Sequence, residues 1–189
     1  MRKQQSIWIQ DAIWGNTAMP GVQTFAILDG AQDVRISLEV ESTFCEHDCL
    51  YAGDLPRQLQ AVAPYLVQLD WDDRLTKFVL DNGWGKNWGV FLKTDVGLKN
   101  LRRHLRTLLR VKDERGNRLL FRYYDPRVLQ RYLPTCSAAE LRAVFGPVHS
   151  FFVETAGGEK VIEMIFDGKG LQQKVIGPQA LGTSAISPL

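Results

Sequence analysis

The chain has 189 residues, of which 45% are hydrophobic and 23% charged, a composition that buries a core and is not that of a disordered segment. No apolar run approaches the roughly 18–20 residues that span a bilayer, and the opening MRKQQSIWIQD has no continuous apolar stretch behind its basic pair, so it does not read as a secretory signal. A cytoplasmic location without a membrane partner is the expectation. The net charge of +2 hides an asymmetry: −5 over residues 1–97, +8 over 98–131 and −1 over 132–189.

The first element in chain order is QTFAILDGA (23–31), which reads as a buried strand ending at the turn pair Asp29-Gly30. DVRISLEVESTF (33–44) fits two periods at once. Val34, Ile36, Leu38 and Val40 alternate as in a strand, whereas Ile36, Val40 and Phe44 recur at helical spacing. Cys45-Glu46-His47-Asp48-Cys49 suggests a metal site, but the spacing matches no common zinc motif and no second ligand pair follows. The three cysteines read as structural thiols. After CLYAG (49–53), Asp54-Leu55-Pro56 marks a helix start, since proline is preset for a first turn.

APYLVQL (63–69) predicts the next strand. Asp72 is placed to cap the following helix, which buries Leu75, Phe78 and Val79 and stops at Gly83. The glycines of Gly83-Trp84-Gly85-Lys86-Asn87-Trp88-Gly89 follow a helix and precede a strand. That is the reverse of a phosphate-cradling loop, so a helix stop plus a turn is the better reading. WGVFLKT (88–94) predicts another strand. From Asp95 to Arg110 runs the clearest helix, with Leu98, Leu101, Leu105, Leu108 and Leu109 on one stripe and Lys99, Arg102, Arg103, Arg106 and Arg110 on the rest. Its basic face can be a solvated surface opposite the acidic half, a protein-docking face, or an anion- or nucleic-acid-binding module on residues 98–110. No nucleic-acid motif surrounds it, which makes nucleic acid the weakest of the three.

Residues 108–124 predict a hairpin around Asp113 to Asn117. Asp125 then caps a helix with Pro126 at its first position, and Ser137 with Glu140 forms a capping box for another, closed by Gly146-Pro147. Strand alternation puts Leu120, Arg122 and Tyr124 on one face. An arginine there either meets a carboxylate, Asp29 or Asp125 being the candidates by type, or faces a partner. The regular exchange of strands and helices favours an α/β class. None of the three histidines sits in a metalloprotease motif, and there is no G-x-S-x-G elbow. The inventory therefore favours a protein that is not an enzyme and carries no cofactor or metal.

FAILDGA, LYAGDLP, APYLVQL, WGVFLKT, HLRTLLRV, LLFRYYDPRVLQRYLP and FGPV, in this order, resemble the type VI secretion effector adaptors, or effector chaperones (Tap/TEC). The resemblance covers residues 24–148. It implies a cytoplasmic adaptor that binds a toxic effector and helps mount it on the VgrG spike or its tip. It also implies an α/β domain with a mixed sheet and flanking helices, then a small, mostly helical C-terminal lobe. Residues 1–23 lie before the domain, 149–176 form a short extension and 177–189 a flexible tail. For 33–44 it implies a helix. The motif positions Asp29, Tyr51, Arg122, Asp125, Pro126, Gly146 and Pro147 are then structural, while Tyr124, Arg127 and Arg131 join Arg102, Arg103 and Arg106 as partner-binding candidates.

Overall fold

A computed structural model describes residues 3–15, 20–112 and 115–178. Its helices are α1 (Lys3–Ile13), α2 (Arg35–Glu41), α3 (Arg57–Ala61), α4 (Arg74–Gly83), α5 (Leu98–Leu108), α6 (Pro126–Tyr132) and α7 (Ala138–Phe145). Its strands are β1 (Gln23–Asp29), β2 (His47–Cys49), β3 (Pro64–Gln68), β4 (Gly89–Thr94), β5 (Arg110–Lys112), β6 (Arg118–Leu120), β7 (Val148–Glu154), β8 (Val161–Phe166) and β9 (Leu171–Ile176).

Seven strands form one sheet in the order β2-β3-β1-β4-β7-β8-β9. The period of two decides what each strand buries. In β1, Phe25 and Ile27 enter one core, which also holds Leu101 and Leu105 of α5, Leu129 of α6 and Leu141 of α7. Ala26 and Leu28 enter the other, with Ile9 and Ile13 of α1, Ile36 and Val40 of α2 and Val79 of α4. The same division recurs at Leu66 against Val67, Leu92 against Phe91 and Phe151 against Phe152. Helices cover both faces, and this is the α/β class expected.

Two finer expectations are corrected. The sheet is antiparallel at every pairing rather than mixed. The reason is topological: β3 and β4 run in the same direction but sit on either side of β1, so the crossover through α4 skips a strand. The C-terminal segment is not a helical lobe but strands of the same sheet. β7 pairs with β4 (Phe91 opposite Phe152), and β8 and β9 continue outward as a meander. Asp167 builds the turn between those two strands, its carboxylate accepting the amides of Lys169 and Gly170 at 2.8 Å each.

Residues 35–41 are helical, because Ile36 and Val40 reach the core while Val34 and Leu38 stay exposed. The cap of α4 is Asp73 rather than Asp72, and its carboxylate turns back to accept the amide of Asp70 at 2.8 Å. The α1 helix was not foreseen. Of the tail 177–189, expected to be flexible, residues 179–189 lie outside the described residues.

The glycine loop does hold an anion, and the anion is internal. After α4 ends at Gly83, the amides of Gly85 and Asn87 donate to the two carboxylate oxygens of Glu154 at 2.5 Å each. Gly85 (φ 83°) and Asn87 (φ 60°) adopt the left-handed conformations that turn both amides inward. Burial pushes the Glu154 carboxyl above its ordinary pKa, and the two amides only partly counter this.

Candidate functional site

Two neighbouring features bring the sequence candidates together. The first is the junction between β6 and α6. Strand β6 ends at Leu120, so the chain has left extended geometry when it reaches Tyr123 and Tyr124, and both rings are buried. The Tyr123 hydroxyl donates to the Leu105 carbonyl at 2.9 Å, tying the junction to α5. Arg122 reaches back to Asp29 at the end of β1 as an ion pair. Asp29 is 1% exposed and also accepts from the Ala31 amide (3.1 Å) and the Gln32 side chain (3.0 Å). The Arg122 side chain is 43% exposed, with its guanidinium 5.9 Å from the Tyr124 ring centre.

Of the two carboxylates proposed for Arg122, the structure selects Asp29. Asp125 instead caps α6, accepting the Arg127 amide at 2.9 Å and pairing with its guanidinium at 2.7 Å. Burial alone would raise the Asp125 carboxyl, but the hydrogen bonds from Arg127 outweigh it and hold the group below its ordinary value. Tyr124 is therefore not a surface residue. Burial first, then the neighbouring Tyr51 hydroxyl, push its phenol well above the usual range. Gly146 (φ 50°) closes α7 where a Cβ would sit 2.3 Å from the His104 ring, and Pro147 offers its carbonyl to the Thr94 hydroxyl at 2.8 Å.

The second feature is a groove of about 740 Å³ along α5. Tyr51, Ala52 and Leu55 line it together with Leu120 of the β5–β6 hairpin and the buried Leu50 and Leu109. Lys99, Arg103, Arg106 and Arg110 line it. Arg102 also borders it but is committed to the fold. Its Nε donates to the Cys49 carbonyl at 2.7 Å and lies 3.0 Å from the Asp48 carboxylate, stapling α5 to β2. Among the described residues no carboxylate pairs with Lys99, Arg103, Arg106 or Arg110.

The hairpin walling this groove is a separate two-stranded sheet. Val111 and Leu119 are paired across it and exposed, and Leu120 is 53% exposed. Arg127 and Arg131 lie apart from the groove, beside a shallower hollow of about 710 Å³ with Phe121 and Tyr132. The apolar part of the groove was missed from the sequence. Its apolar residues come from separate pieces of the chain, the segment 50–55, Leu109 and Leu120, which no single period joins.

Residues 24–143 match the family described as Domain of unknown function (DUF4123). The chain belongs to that family. No curated protein and no solved structure matches it. The DUF4123 match runs from β1 into α7 and so contains the junction and the groove, while β7, β8 and β9, three of the seven strands of the sheet, lie outside it. Among the described residues no helix is long and apolar enough to cross a membrane, and no three His, Cys, Asp or Glu side chains are grouped to hold a metal ion.

Proposed function

We propose that this DUF4123 protein is a non-enzymatic adaptor of the cytoplasm that captures a type VI secretion effector and helps load it onto the VgrG spike or its tip. The ordered motif set supports this reading, since it resembles effector adaptors over residues 24–148, a stretch that contains the family match at 24–143. The geometric observation that carries it is the groove along α5. Cations that have no carboxylate partner among the described residues, set beside accessible apolar side chains, form a surface that attracts a partner by charge and holds it by burial.

Loading places two requirements on such a protein: a rigid body and an accessible capture surface. The three-layer fold supplies the first, and the groove with its exposed hairpin supplies the second. Co-purification with the product of a neighbouring effector gene tests the proposal, together with effector export from a strain lacking the adaptor. Retention of the effector and loss of its export are expected. An effector that is not retained, and is exported normally without the adaptor, would refute it.

A further inference from the structure

We infer that the groove along α5 receives an acidic amphipathic helix of the effector, a reading that rests on the adaptor function proposed above. Lys99, Arg103 and Arg106 follow one another at intervals of four and three residues, so they lie on a single face of α5. At 1.5 Å per residue they are spaced about 6 and about 4.5 Å along the axis. Arg110 extends this row onto β5. A second helix laid along α5 repeats its own positions at the same intervals, and can thus bring a carboxylate to each cation turn after turn.

The charges alone would serve any polyanion. The accessible apolar lining narrows the choice, because Leu55 and Leu120 face the same groove, with Leu50 and Leu109 buried in the core behind it. A phosphate backbone leaves such leucines wet, whereas the apolar stripe of an amphipathic helix covers them. Few aromatic rings line the groove for base stacking, Tyr51 being the one present. Arg102 does not take part, since Asp48 and the Cys49 carbonyl occupy it. The exposed Leu120 marks where the hairpin folds against the incoming segment.

The test measures binding of the neighbouring effector to the full-length chain at low and at physiological salt. The variants are Arg106→Glu/Arg110→Glu, Lys99→Glu/Arg103→Glu and Leu120→Asp. The control is Lys169→Glu/Lys174→Glu, which makes the same change of charge on and beside the exposed strand β9. Either groove reversal should slow association roughly tenfold or more and flatten its salt dependence. Leu120→Asp should shorten the lifetime of the complex, and the control should match the wild type. Hydrogen exchange on the effector should show protection in an acidic, helical stretch. Unchanged melting temperatures keep these readouts separate from misfolding. Wild-type binding by every groove variant, protection confined to a basic or non-helical segment, or an oligonucleotide that displaces the effector from the groove would overturn the inference while leaving the adaptor reading in place. Failure of the wild-type chain to bind the effector would remove both.

Discussion

The pair formed by Asp29 and Arg122 is unequal, and the inequality predicts which single substitution does more damage. Asp29 is 1% exposed, whereas the Arg122 side chain is 43% exposed. Arg122→Met leaves a carboxylate in the interior whose remaining donors, among the described residues, are the Ala31 amide and the Gln32 side chain. Breaking a buried pair costs about 3–5 kcal/mol. The surviving donors and the partial exposure of the arginine reduce this to about 2–4 kcal/mol. Asp29→Asn leaves a guanidinium that water can reach, and the new side chain still offers an oxygen to Ala31, so about 1–2 kcal/mol is expected. The double variant has no buried charge to compensate and should cost about 1–3 kcal/mol less than the sum of the two. For a domain of this size each kcal/mol moves the melting temperature by about 2–4 °C. Urea unfolding of the four proteins measures the cycle. Additive single effects, or a larger loss from Asp29→Asn, would refute this account of the junction.

Asp125→Ala should cost only the cap of α6, about 0.5–2 kcal/mol by urea unfolding, because Arg122 keeps its partner Asp29 and the released Arg127, 60% exposed, is solvated. Gly146→Ala should lower the melting temperature by more than an ordinary glycine replacement, since φ is 50° and the new Cβ would lie 2.3 Å from the His104 ring; an unchanged melting temperature would contradict that crowding. Burial pushes the Tyr65 and Tyr132 phenols up to about 12, and those of Tyr123 and Tyr124 higher than the ordinary value of 10. Because these pKa values are raised in the folded state, the neutral phenols contribute fully below pH 10 and the protein loses stability as the pH rises from 10 through 12. Phenolate absorbance should lag behind that of free tyrosine for four of the five tyrosines, and its appearance near pH 10 for all five would refute the burial argument.

Strands β1, β3 and β4 were legible because both faces of the sheet are covered there, and each of them accordingly carries apolar side chains in both directions, whereas β7, β8 and β9 were not read as strands. FAILD, YLVQ and GVFLKT leave no other reading. The basic helix was legible for the opposite reason, a stripe of leucines at helical spacing set against five cations. What alternation could not reveal was where a strand stops. Extending β6 past Leu120 placed Tyr124 on an outer face, whereas the turn after Phe121 puts two consecutive tyrosines inside. Arg102 was counted with its neighbours because charge type does not report partners, and its link to Asp48 joins segments more than fifty residues apart. Two missed elements did leave a trace. Trp8, Ile9, Ala12 and Ile13 have the spacing of a helix face, and Asp167-Gly168 before LQQKVI signals the last hairpin.

The residues that carry the family resemblance are chiefly interior. Asp29, Tyr123, Tyr124, Asp125 and Pro126 are buried, and Gly146 is held by a close approach to His104. They fasten β1, α5 and α6 to one another, and so hold the helix that borders the groove. By contrast Lys99, Arg103, Arg110 and Leu120 have side chains that could change without disturbing those contacts, since none of them takes part in the Asp29–Arg122 pair, the Asp125 cap or the Tyr123 hydrogen bond. The junction contacts that fix the fold are thus distinct from the exposed cations that line the groove. The proposed adaptor role would accordingly leave the frame to the junction and the choice of cargo to the exposed side chains lining the groove. An adaptor matched to a different effector could keep the junction intact and differ in the sign and spacing of the charges along α5.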